Sequence, residues 1–574
     1  MKNPEIADIF ESIADLLEIL DEQPFRVNSY RRAARAIGDL SEAIEDVAAA
    51  GRLQEIAGIG KSTAQKIQEY LDAGKVALHQ ELLSKVPPKL PELLDVPGLG
   101  PKTAAKLWNR AQITSIAELE HAIENEPERL TAVEGMGARK VRQIWESLAF
   151  LKSTGGRIRL GEAAAIVEAL IESVRKSKGA KRVVAAGSYR RGRETVGDID
   201  LLCQATKAAA PGIIERFAEA PDVRRVAAKG DTKGSVVLDR DVQADLRVVA
   251  AGSFGAALAY FTGSKEHNIR VRELAVKKGL KLNEYGLFQG DKQIAGAEEG
   301  EIYEALGLAY VPPELREDRG EVDAAVEHRI PELLELGDIR GDLHVHSTAS
   351  DGLHTVAEMI DACRARGYQY VAFCDHSKSQ IQANGLDEHR LAEHAAAIRK
   401  AAGKHKDILV LAGVEVDIFK DGSLDFEADV LAELDFVTAS AHSALSTGRD
   451  ETTRRLVRAI ESPHVRCIGH PSGRIINSRP GMELDIEPVA RAAAANDVAL
   501  EINAHWMRLD LRDTHVRAAL DAGAKILINT DAHSIADLDN MRYGVITARR
   551  GWATADHVVN TWSPRKLRAW LADR

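Results

Sequence analysis

Two aspartates one residue apart, Asp198 and Asp200, close the stretch Gly187–Asp200, which begins with a Gly-Ser pair and two arginines. Alternate side chains of an extended strand point to one face, so both carboxylates could hold the same pair of divalent cations. The Gly-Ser backbone and hydroxyl, with Arg190 or Arg191, suit a phosphate. This combination is what phosphoryl or nucleotidyl transfer requires. A carboxylate pair that only supports the fold is disfavoured, because two adjacent acids repel each other without cations.

A second set of residues, rich in histidine, runs through the C-terminal part of the chain. His344 and His346 stand one residue apart, and on a strand both imidazoles would lie on one face, ready for one metal. One isolated histidine is usually a core or surface residue, but nine such groups at predicted strand ends are hard to explain without metal ions. Imidazole-rich clusters suit Mn, Zn or Fe better than Mg, and they generate a bound hydroxide near neutral pH beside a phosphodiester. The other seven groups are Asp351, His376, Glu415, His442, His470, Asp531 and His533.

Length and composition limit the classes of protein to which these residues can belong. With 574 residues the chain is too long for a single core, so we expect three or more domains. A hydrophobic content of 45% and a charged content of 28% fit an ordered protein. No apolar run approaches the ~20 residues of a membrane span, and the N-terminus lacks a signal-peptide core. Four separated cysteines without a CxxC pair indicate a reducing cytoplasm.

The net charge of −11 argues against nucleic acid, but basic residues cluster locally, within 26–35, 181–193 and 265–272. Residues 1–150 predict helices, with a Gly-hydrophobic-Gly turn that recurs three times, each time followed by Lys or Arg. Each copy opens a helix, so its backbone N–H groups can point at an anion. One copy would be an ordinary helix connection, whereas three copies resemble the helix-hairpin-helix module, which grips a DNA backbone without reading sequence. The residues expected to contact DNA there are Gly58, Gly60, Lys61, Gly98, Gly100, Lys102, Gly135, Gly137 and Arg139.

The elements that must position these groups change along the chain. Residues 158–250 predict an α+β region with a strand through the two aspartates, and residues 252–318 predict helices and short turns. Prolines and charged residues up to position 332 are typical of a connector. From about residue 338, short strands alternate with helices, and each strand ends near a polar residue. That rhythm predicts a parallel α/β barrel with its site at the carboxyl ends of the strands.

The first set of residues resembles a family X DNA polymerase, such as DNA polymerase beta, over about residues 1–318. The resemblance rests on the Gly-Ser turn, the aspartate pair, Asp245 on a later strand and the stretch Tyr260-Phe-Thr-Gly-Ser264. It implies that Asp198 and Asp200 bind both divalent ions. It also implies that Asp245 binds the catalytic ion and draws the proton from the primer 3′-hydroxyl.

The same resemblance assigns roles around the nucleotide. Asp239 and Asp241 are alternatives to Asp245 as the third metal-binding carboxylate. We prefer Asp245 because Asp-Leu-Arg-Val-Val is similar to the family's strand. Lys265 stands where the beta enzyme has an acidic residue and Gln243 where it has an arginine, so nucleotide contacts and the tuning of the third aspartate would differ here. The residues implied to hold the triphosphate, the sugar and the minor-groove edge of the base pair are Gly187, Ser188, Arg191, Gly197, Tyr260, Phe261, Gly263, Lys265, Asn268 and Arg272.

The N-terminal region is similar to the lyase domain of the beta enzyme. Phe25-Arg-Val-Asn-Ser-Tyr30 and the first Gly-Ile-Gly turn match it in order. The match implies that Lys66 occupies the position of the Schiff-base lysine. The alternative is a helix lysine that faces a 5′-phosphate. Arg26, Tyr30 and Lys61 fit phosphate binding on either interpretation.

The histidine series resembles the PHP (polymerase and histidinol phosphatase) domain, a distorted barrel that holds up to three ions. The resemblance allows Asp375 and Arg474 to assist as outer or phosphate-binding groups. The implied arrangement places one ion among His344, His346, Glu415 and Asp531, a second between Glu415, His442 and His470, and a third among Asp351, His376 and His533.

Together the resemblances imply a multidomain protein of α+β and α/β class. It would combine a helical DNA-binding region, a nucleotidyltransferase palm, a small thumb and a C-terminal PHP barrel. The expected borders are 1–85 for a lyase-like helical domain, 86–155 for a second helix-hairpin-helix subdomain, 156–252 for the palm, 253–318 for the thumb, 319–337 for a linker and 338–574 for the PHP phosphoesterase domain.

The implied function is gap-filling DNA synthesis in base excision or end repair. The PHP domain would act as a metal-dependent 3′→5′ exonuclease, abasic-site endonuclease or 3′-phosphatase. Two other interpretations stay open, namely a PHP domain that is a metal-binding scaffold without turnover and a template-independent nucleotidyltransferase. We expect Mg²⁺ or Mn²⁺ in the palm and up to three Mn, Zn or Fe ions in the PHP domain. The expected partners are gapped or primer-template DNA and dNTPs, with no membrane, for a cytoplasmic, nucleoid-associated monomer.

Overall fold

The chain divides into two compact units in the computed structural model. None of the helices in the described ranges combines the length and apolar character of a membrane-spanning segment. The units are Met1–Thr154 with Asn477–Pro480, and Gly155–Ile476 with Gly481–Arg574. The residues that the structure describes are 2–38, 43–56, 58–96, 99–154 and 156–573.

The N-terminal unit is built from helices around one apolar core. Ile6, Phe10 and Ile13 recur at helical spacing on its first helix, and all three are fully buried in this core. Helices begin directly after the three Gly-hydrophobic-Gly turns, which confirms that each turn opens a helix. The helices are Asn3–Ile19, Pro24–Gly38, Ile44–Ala49, Lys61–Ala73, Ala77–Ser84, Pro101–Ala111, Ile116–Asn125, Pro127–Thr131 and Ala138–Thr154.

The second unit begins with a five-stranded mixed sheet, the palm expected from the sequence. Its central strands, Asp198–Gln204 and Gln243–Val249, are parallel neighbours, and the other three pairings are antiparallel. Helices Leu160–Arg175 and Ala210–Ala218 contribute apolar residues to the core of this sheet. The strand order is Arg182–Ala185, Asp198–Gln204, Gln243–Val249, Lys233–Leu238 and Val223–Lys229.

The thumb follows as helices and a small antiparallel sheet. The segment expected to be a linker contains the helix Glu321–Val326, because Val322 and Ala325 are buried in the apolar core of the thumb. The thumb helices are Phe254–Thr262, Lys265–Lys277 and Glu299–Ala305, and its strands are Lys281–Asn283, Gly286–Gln289 and Lys292–Ala295.

Seven parallel strands, paired in chain order, form the predicted α/β barrel. Val345, at the end of the first strand, also pairs with Ala532 just after the last strand, so the sheet is nearly closed. The strands are Gly341–Val345, Tyr370–Phe373, Leu409–Asp417, Phe436–Ser440, Cys467–Ile468, Ala499–Asn503 and Lys525–Asn529. The helices between and after them are Val356–Ala365, Glu388–Ala402, Ala428–Ala432, Arg449–Ile460, Ile486–Ala495, Asp513–Asp521, Met541–Arg550 and Pro564–Ala572.

The barrel packs directly on the palm within the second unit. Leu509 and Tyr543 of the barrel are buried in the palm's apolar core. A Cβ on Gly161 of the palm would come within 2.4 Å of the Trp506 ring, so glycine permits the two surfaces to approach closely. Arg159 lies over the same ring, 5.7 Å from its centroid.

Candidate active sites

Three carboxylates meet on the parallel strands of the palm. Asp198 and Asp200 lie on one strand, and the register of the pair sets Asp245 directly opposite Asp200. Asp239 and Asp241 lie instead in an exposed turn, where both pair with an arginine of a neighbouring strand. The structure therefore groups Asp245, and neither competing aspartate, with the first pair.

The electrostatics of this group fit divalent cations. Burial, followed by the nearby charges of Asp198 and Asp245, raises the pKa of Asp200 to about 6. Lys233 and Gln243 approach Asp245 at 3.5 Å and 3.2 Å, which offsets only part of the negative charge. Three carboxylates in this arrangement can hold hard cations such as Mg²⁺ or Mn²⁺.

Gly187 and Ser188 begin the short helix Gly187–Arg190 and line the cavity beside these carboxylates. Gly187 has φ +62°, and a Cβ there would lie 2.5 Å from Oδ2 of Asp200, so only glycine leaves room for that carboxylate. The buried hydroxyl of Ser188 has no hydrogen-bond partner among the described residues. An unsatisfied buried donor at this position fits a phosphate oxygen.

A cavity of about 900 Å³ opens over the aspartate pair and the turn. Arg191 lines it, whereas Arg190, which is hydrogen-bonded to Thr262 and Glu299 of the thumb, does not, so Arg191 is the one of the two that faces a ligand in the cavity. Arg157, which the sequence did not single out, and Arg193, which it placed only in a basic cluster, also line the cavity. The lining residues are Arg157, Gly187, Ser188, Arg191, Arg193, Asp198, Asp200, Tyr260, Phe261, Gly263, Ser264, Lys265, Glu266, Asn268, Ile269, Arg272 and Glu317.

Thumb residues that the sequence predicted to touch the nucleotide face the same cavity. Tyr260 and Phe261 meet edge to face, with ring centroids 5.1 Å apart. Asn268 donates to the backbone carbonyl of Tyr260 at 2.7 Å, which fixes its amide. Gly263 has φ +69°, and a Cβ there would lie 3.2 Å from Arg191. Gly197 lies beside Arg157, which donates to Thr195.

The N-terminal unit presents the predicted DNA-contacting residues at helix starts. The hydrophobic residue of each turn is buried as an anchor, while Lys61, Lys102 and Arg139 at the following positions are exposed. Gly60 and Gly100 have extended backbones directly before their helices, and Gly58 and Gly135 have φ of +93° and +84°. Gly98 lies outside the described residues, and Gly137 precedes the helix that begins at Ala138.

Lys66 lies half-buried on the helix Lys61–Ala73. Its ammonium group donates to Ser62 Oγ at 3.0 Å and lies 5.9 Å from the centroid of the Tyr30 ring. Tyr30 is itself buried and packs near Phe10. Arg26 pairs with Glu22 at 3.3 Å. These contacts place Lys66 beside an aromatic face.

All nine predicted ligands converge at the carboxyl ends of the barrel strands. Both carboxylate oxygens of Glu415 are buried, and neither makes a hydrogen bond of acceptable geometry with the described residues. Ring nitrogens nevertheless crowd around them, with His376 at 2.8 Å, His470 at 3.0 Å and His442 at 3.4 Å. Donor atoms that approach closely without hydrogen-bonding to one another fit shared metal ions.

The pKa shifts differ from one ligand to the next. Burial alone would lower the pKa of His344, His376 and His533, but the neighbouring carboxylates outweigh it and raise all three, so an ion bound there would have to displace a proton. Burial, together with the neighbouring His533 and His376, lowers the pKa of His346 to about 4, so its imidazole is neutral and can act as a ligand. Burial opposes ionisation of Glu415, but the surrounding imidazoles hold the pKa of its carboxyl well below its usual range. Three groups of ligand atoms lie within 4.8 Å of one another: His346, Asp351, His376 and His533; His344, His346 and Asp531; and His376, Glu415 and His442.

These three groups are consistent with up to three ions, but they share ligands differently from the arrangement implied by resemblance. His346 belongs to two of the groups, and His376 joins the group that contains Glu415 and His442. His470 remains close to Glu415. One imidazole nitrogen binds only one metal ion. The ion to which each histidine belongs therefore depends on which of its ring nitrogens is the ligand.

Two buried acids that the sequence did not single out orient metal-site histidines. Glu501 lies 2.8 Å from Nδ1 of His344 and accepts a hydrogen bond from the backbone of His470. Asp417 lies 2.5 Å from Nδ1 of His442. Carboxylates in this position fix the tautomer and raise the basicity of the opposite ring nitrogen. Asp417 ends the strand Leu409–Asp417, so its position was a usable signal, whereas Glu501 lies within the strand Ala499–Asn503 and gave none.

The two assisting residues suggested by the sequence have other partners. Asp375 accepts hydrogen bonds from Ser347 and Ser350 and lies 2.7 Å from His394, so it braces the loop that leads to Asp351. Arg474 forms an ion pair with Glu194 of the palm at 2.7 Å. It therefore joins the barrel to the palm turn.

Comparison with protein families divides the chain in the same order. Models matched residues 342–505 to the PHP domain and 257–317 to the DNA polymerase beta thumb. They matched residues 157–222 to the DNA polymerase beta palm. Residues 1–76 match a helix-hairpin-helix domain, and 90–149 match a SAM-like helix-hairpin-helix tandem.

Individual relatives fall into two groups. The chain is 37% identical over 575 residues to the DNA polymerase/3′-5′ exonuclease PolX of Bacillus subtilis, covering 100% of this chain and 99% of that protein. Other relatives match less than half of the chain. A probable phosphatase of Shewanella sediminis is 28% identical over 243 residues, 41% of this chain and 94% of that protein. A probable phosphatase of Thermoanaerobacter is 26% identical over 244 residues, again 41% of this chain and 94% of that protein.

Proposed function

Because this chain belongs to the family X DNA polymerases of the PolX type, we propose that it fills short gaps in DNA and removes nucleotides from DNA 3′ ends at a separate metal centre. The observation that carries the polymerase half is the register that sets Asp245 opposite Asp200 beneath a cavity lined with arginines. The observation that carries the nuclease half is the convergence of nine ligand residues at one end of the barrel.

In the palm, Asp198, Asp200 and Asp245 would hold divalent ions, which would supply positive charge to the triphosphate and to the primer hydroxyl. Asp245 receives the proton of the 3′-hydroxyl. Ser188 and Arg191 bind the triphosphate with Gly187 and Gly197 shaping the turn, and Lys265 adds a positive charge to the same cavity. Tyr260, Phe261 and Gly263 pack against the sugar and disfavour a 2′-hydroxyl, and Asn268 and Arg272 meet the base-pair edge.

In the barrel, the histidines and carboxylates would hold Mn, Zn or Fe ions, which would activate water and neutralise charge on a phosphodiester. Glu501 and Asp417 keep His344 and His442 in the tautomer that presents Nε2. The same chemistry extends to abasic-site cleavage and 3′-phosphate removal, because both involve a phosphate ester at a DNA end. The complete ligand set supports turnover over a purely structural metal site.

The helical unit binds DNA, although the net charge of the whole chain is −11. Backbone N–H groups at the helix starts bind phosphates, and exposed Lys61, Lys102 and Arg139 add positive charge. Lys66 is the nucleophile for 5′-deoxyribose phosphate in this proposal. The chain acts as a monomer on nucleoid DNA, with the expected domain borders except that the helix Glu321–Val326 belongs with the thumb.

A paired assay tests both halves. Purified full-length chain, Asp200→Ala and His344→Ala would be given gapped DNA with dNTPs and Mn²⁺, and extension and degradation of the primer would be followed together. Asp200→Ala should lose synthesis only, and His344→Ala should lose degradation only. Synthesis that survives Asp200→Ala would refute the palm assignment, and degradation that survives His344→Ala would refute the barrel assignment.

A further inference from the structure

A turn at Gly192, just after the helix Gly187–Arg190 that contains Ser188, lies directly against a helix of the PHP barrel. Gly192 in this turn has φ +64°, and a Cβ there would come within 2.1 Å of Cγ2 of Ile546. Ile546 and Arg550 belong to the helix Met541–Arg550, which follows the last barrel strand. Since only glycine permits this approach, the barrel contacts the backbone of the nucleotide site itself.

Arg550 reaches the triphosphate-binding arginine in two ways. Its NH1 donates to the backbone carbonyl of Arg191 at 2.6 Å and to Oε1 of Glu317 at 3.0 Å. The same Glu317 oxygen accepts from Nε of Arg191 at 3.1 Å. The NH1 of Arg191 donates to the carbonyl of Thr262 at 2.5 Å. Backbone and guanidinium of Arg191 are therefore both fixed by this network.

The network is buried and charged, so its geometry is restricted. Side-chain exposure is 4% for Arg550, 10% for Glu317 and 14% for Arg191. The NH2 of Arg550 is anchored by Asp513 at 2.7 Å. Burial alone would raise the pKa of Glu317, but Arg550, Arg191 and Arg193 outweigh it and lower that pKa, so the carboxylate stays ionised. Charge-assisted hydrogen bonds of this kind are short and directional.

We propose that Arg550 and Glu317 are positioning residues for nucleotide addition, through which the PHP barrel holds Arg191 in the orientation that binds the triphosphate. The inference rests on the proposed polymerase function of the palm. In the competing explanation the same contacts only dock the barrel on the palm. Docking alone would alter stability and both activities together, whereas positioning alters the KM for the nucleotide.

The chain offers a matched control on the same helix. Arg549 is also 14% exposed and also crosses the junction, where it donates to Glu314 and to the carbonyl of Leu334, each at 2.8 Å. No bond joins it to Arg191 or Glu317 among the described residues. Arg549→Ala therefore removes a buried junction arginine without touching the network.

The experiment compares full-length wild type, Arg549→Ala, Arg550→Ala, Arg550→Lys, Glu317→Gln and the Arg550→Ala/Glu317→Gln double variant. Gap filling gives KM for dNTP and kcat, a fluorescence titration gives dNTP affinity, and degradation of a 3′ end reports the barrel. Loss of a charged hydrogen bond predicts a KM about tenfold higher in Arg550→Ala, with kcat within about threefold and degradation unchanged. Arg550→Lys should recover part of the loss.

The other expected results concern Glu317, whose carboxylate accepts hydrogen bonds from both Arg191 and Arg550. Glu317→Gln, which preserves shape, should raise KM in the same direction, and the double variant should be no worse than the poorer single variant. Any of three results would overturn the inference. The KM could be equal in Arg550→Ala and Arg549→Ala, it could be lower in Glu317→Gln, or nucleotide addition and 3′-end degradation could fall in parallel. If Arg550→Ala does not fold, Glu317→Gln carries the same test alone.

The two proposals fail in different ways. A wild-type chain that extends no primer would refute the proposed polymerase function. A wild-type chain that extends the primer, with KM and dNTP affinity unchanged in Arg550→Ala and Glu317→Gln, would refute only the positioning role.

Discussion

Replacing Asp200 by Asn should abolish DNA synthesis and yet stabilise the metal-free protein. Asp200 is packed between Gly187 and two other carboxylates, and burial and these charges raise its pKa to about 6 from 3.8. Asn has nearly the same shape and no charge, so it removes the repulsion while leaving the packing in place. A carboxylate that only supports the fold through favourable contacts would show the opposite sign.

The magnitude follows from linkage between proton binding and folding. Above pH 6 the folded chain holds Asp200 ionised at a cost, whereas the unfolded chain ionises it near pH 3.8, so stability falls as pH rises through this window. About two pKa units correspond to roughly 3 kcal/mol at pH 8, and about half of that at pH 5. The gain from Asp200→Asn should therefore be about twice as large at pH 8 as at pH 5.

The assay compares wild type and Asp200→Asn by thermal unfolding in EDTA at pH 5 and pH 8, followed by titration with Mg²⁺ at pH 8. Both variants lose the barrel ions equally in EDTA, so their difference reports the palm. The difference should grow with pH in EDTA and shrink as Mg²⁺ stabilises only the wild type. A pH-independent difference, or an equal Mg²⁺ effect on both variants, would refute the assignment of Asp200 to a cation-neutralised carboxylate group.

Three further changes test other parts of the sites. Gly187→Ala places a Cβ 2.5 Å from Asp200 Oδ2 at a positive φ, and should lower synthesis at least about 100-fold with degradation intact; normal synthesis would contradict the close approach. Glu501→Gln weakens the partner of His344 Nδ1 and should lower metal affinity of the barrel about 10- to 100-fold, measured by chelator competition, whereas unchanged affinity would deny its orienting role. Lys66→Ala should abolish borohydride trapping on 5′-deoxyribose phosphate DNA, and trapping that persists would move the nucleophile elsewhere.

Much of the catalytic chemistry could be predicted from the sequence because its residues are close together along the chain. Alternation on one strand was enough to pair Asp198 with Asp200, and the same spacing paired His344 with His346, which directly follows its strand. Polar residues after strands marked the barrel site, because parallel strands end at the same edge. The resemblance to a family strand favoured Asp245, and the strand register then set it opposite Asp200.

Other site residues could not be predicted, since their roles arise from contacts between distant segments. Arg550 lies 359 residues from Arg191 along the chain. It follows Arg549 at the end of the helix Met541–Arg550, where basic residues are common. Glu317 sits in a charged run that resembles a connector, yet it is buried among three arginines. Glu501 occupies an apolar strand of the barrel, and only the structure shows that it faces a metal-site histidine.

The two metal centres differ in a way that suits two opposite reactions. The palm offers carboxylates at the wall of an open cavity, with Asp198 exposed, and such oxygen ligands bind Mg²⁺ loosely enough for the ion to arrive with each nucleotide. The barrel offers a cluster of imidazoles, of which His344 and His442 are oriented by a second carboxylate, and imidazole-rich sites of this kind bind transition ions tightly. With the proposed ions, these ligand types would let one chain keep a resident hydrolytic centre while its synthetic centre is reloaded at every step.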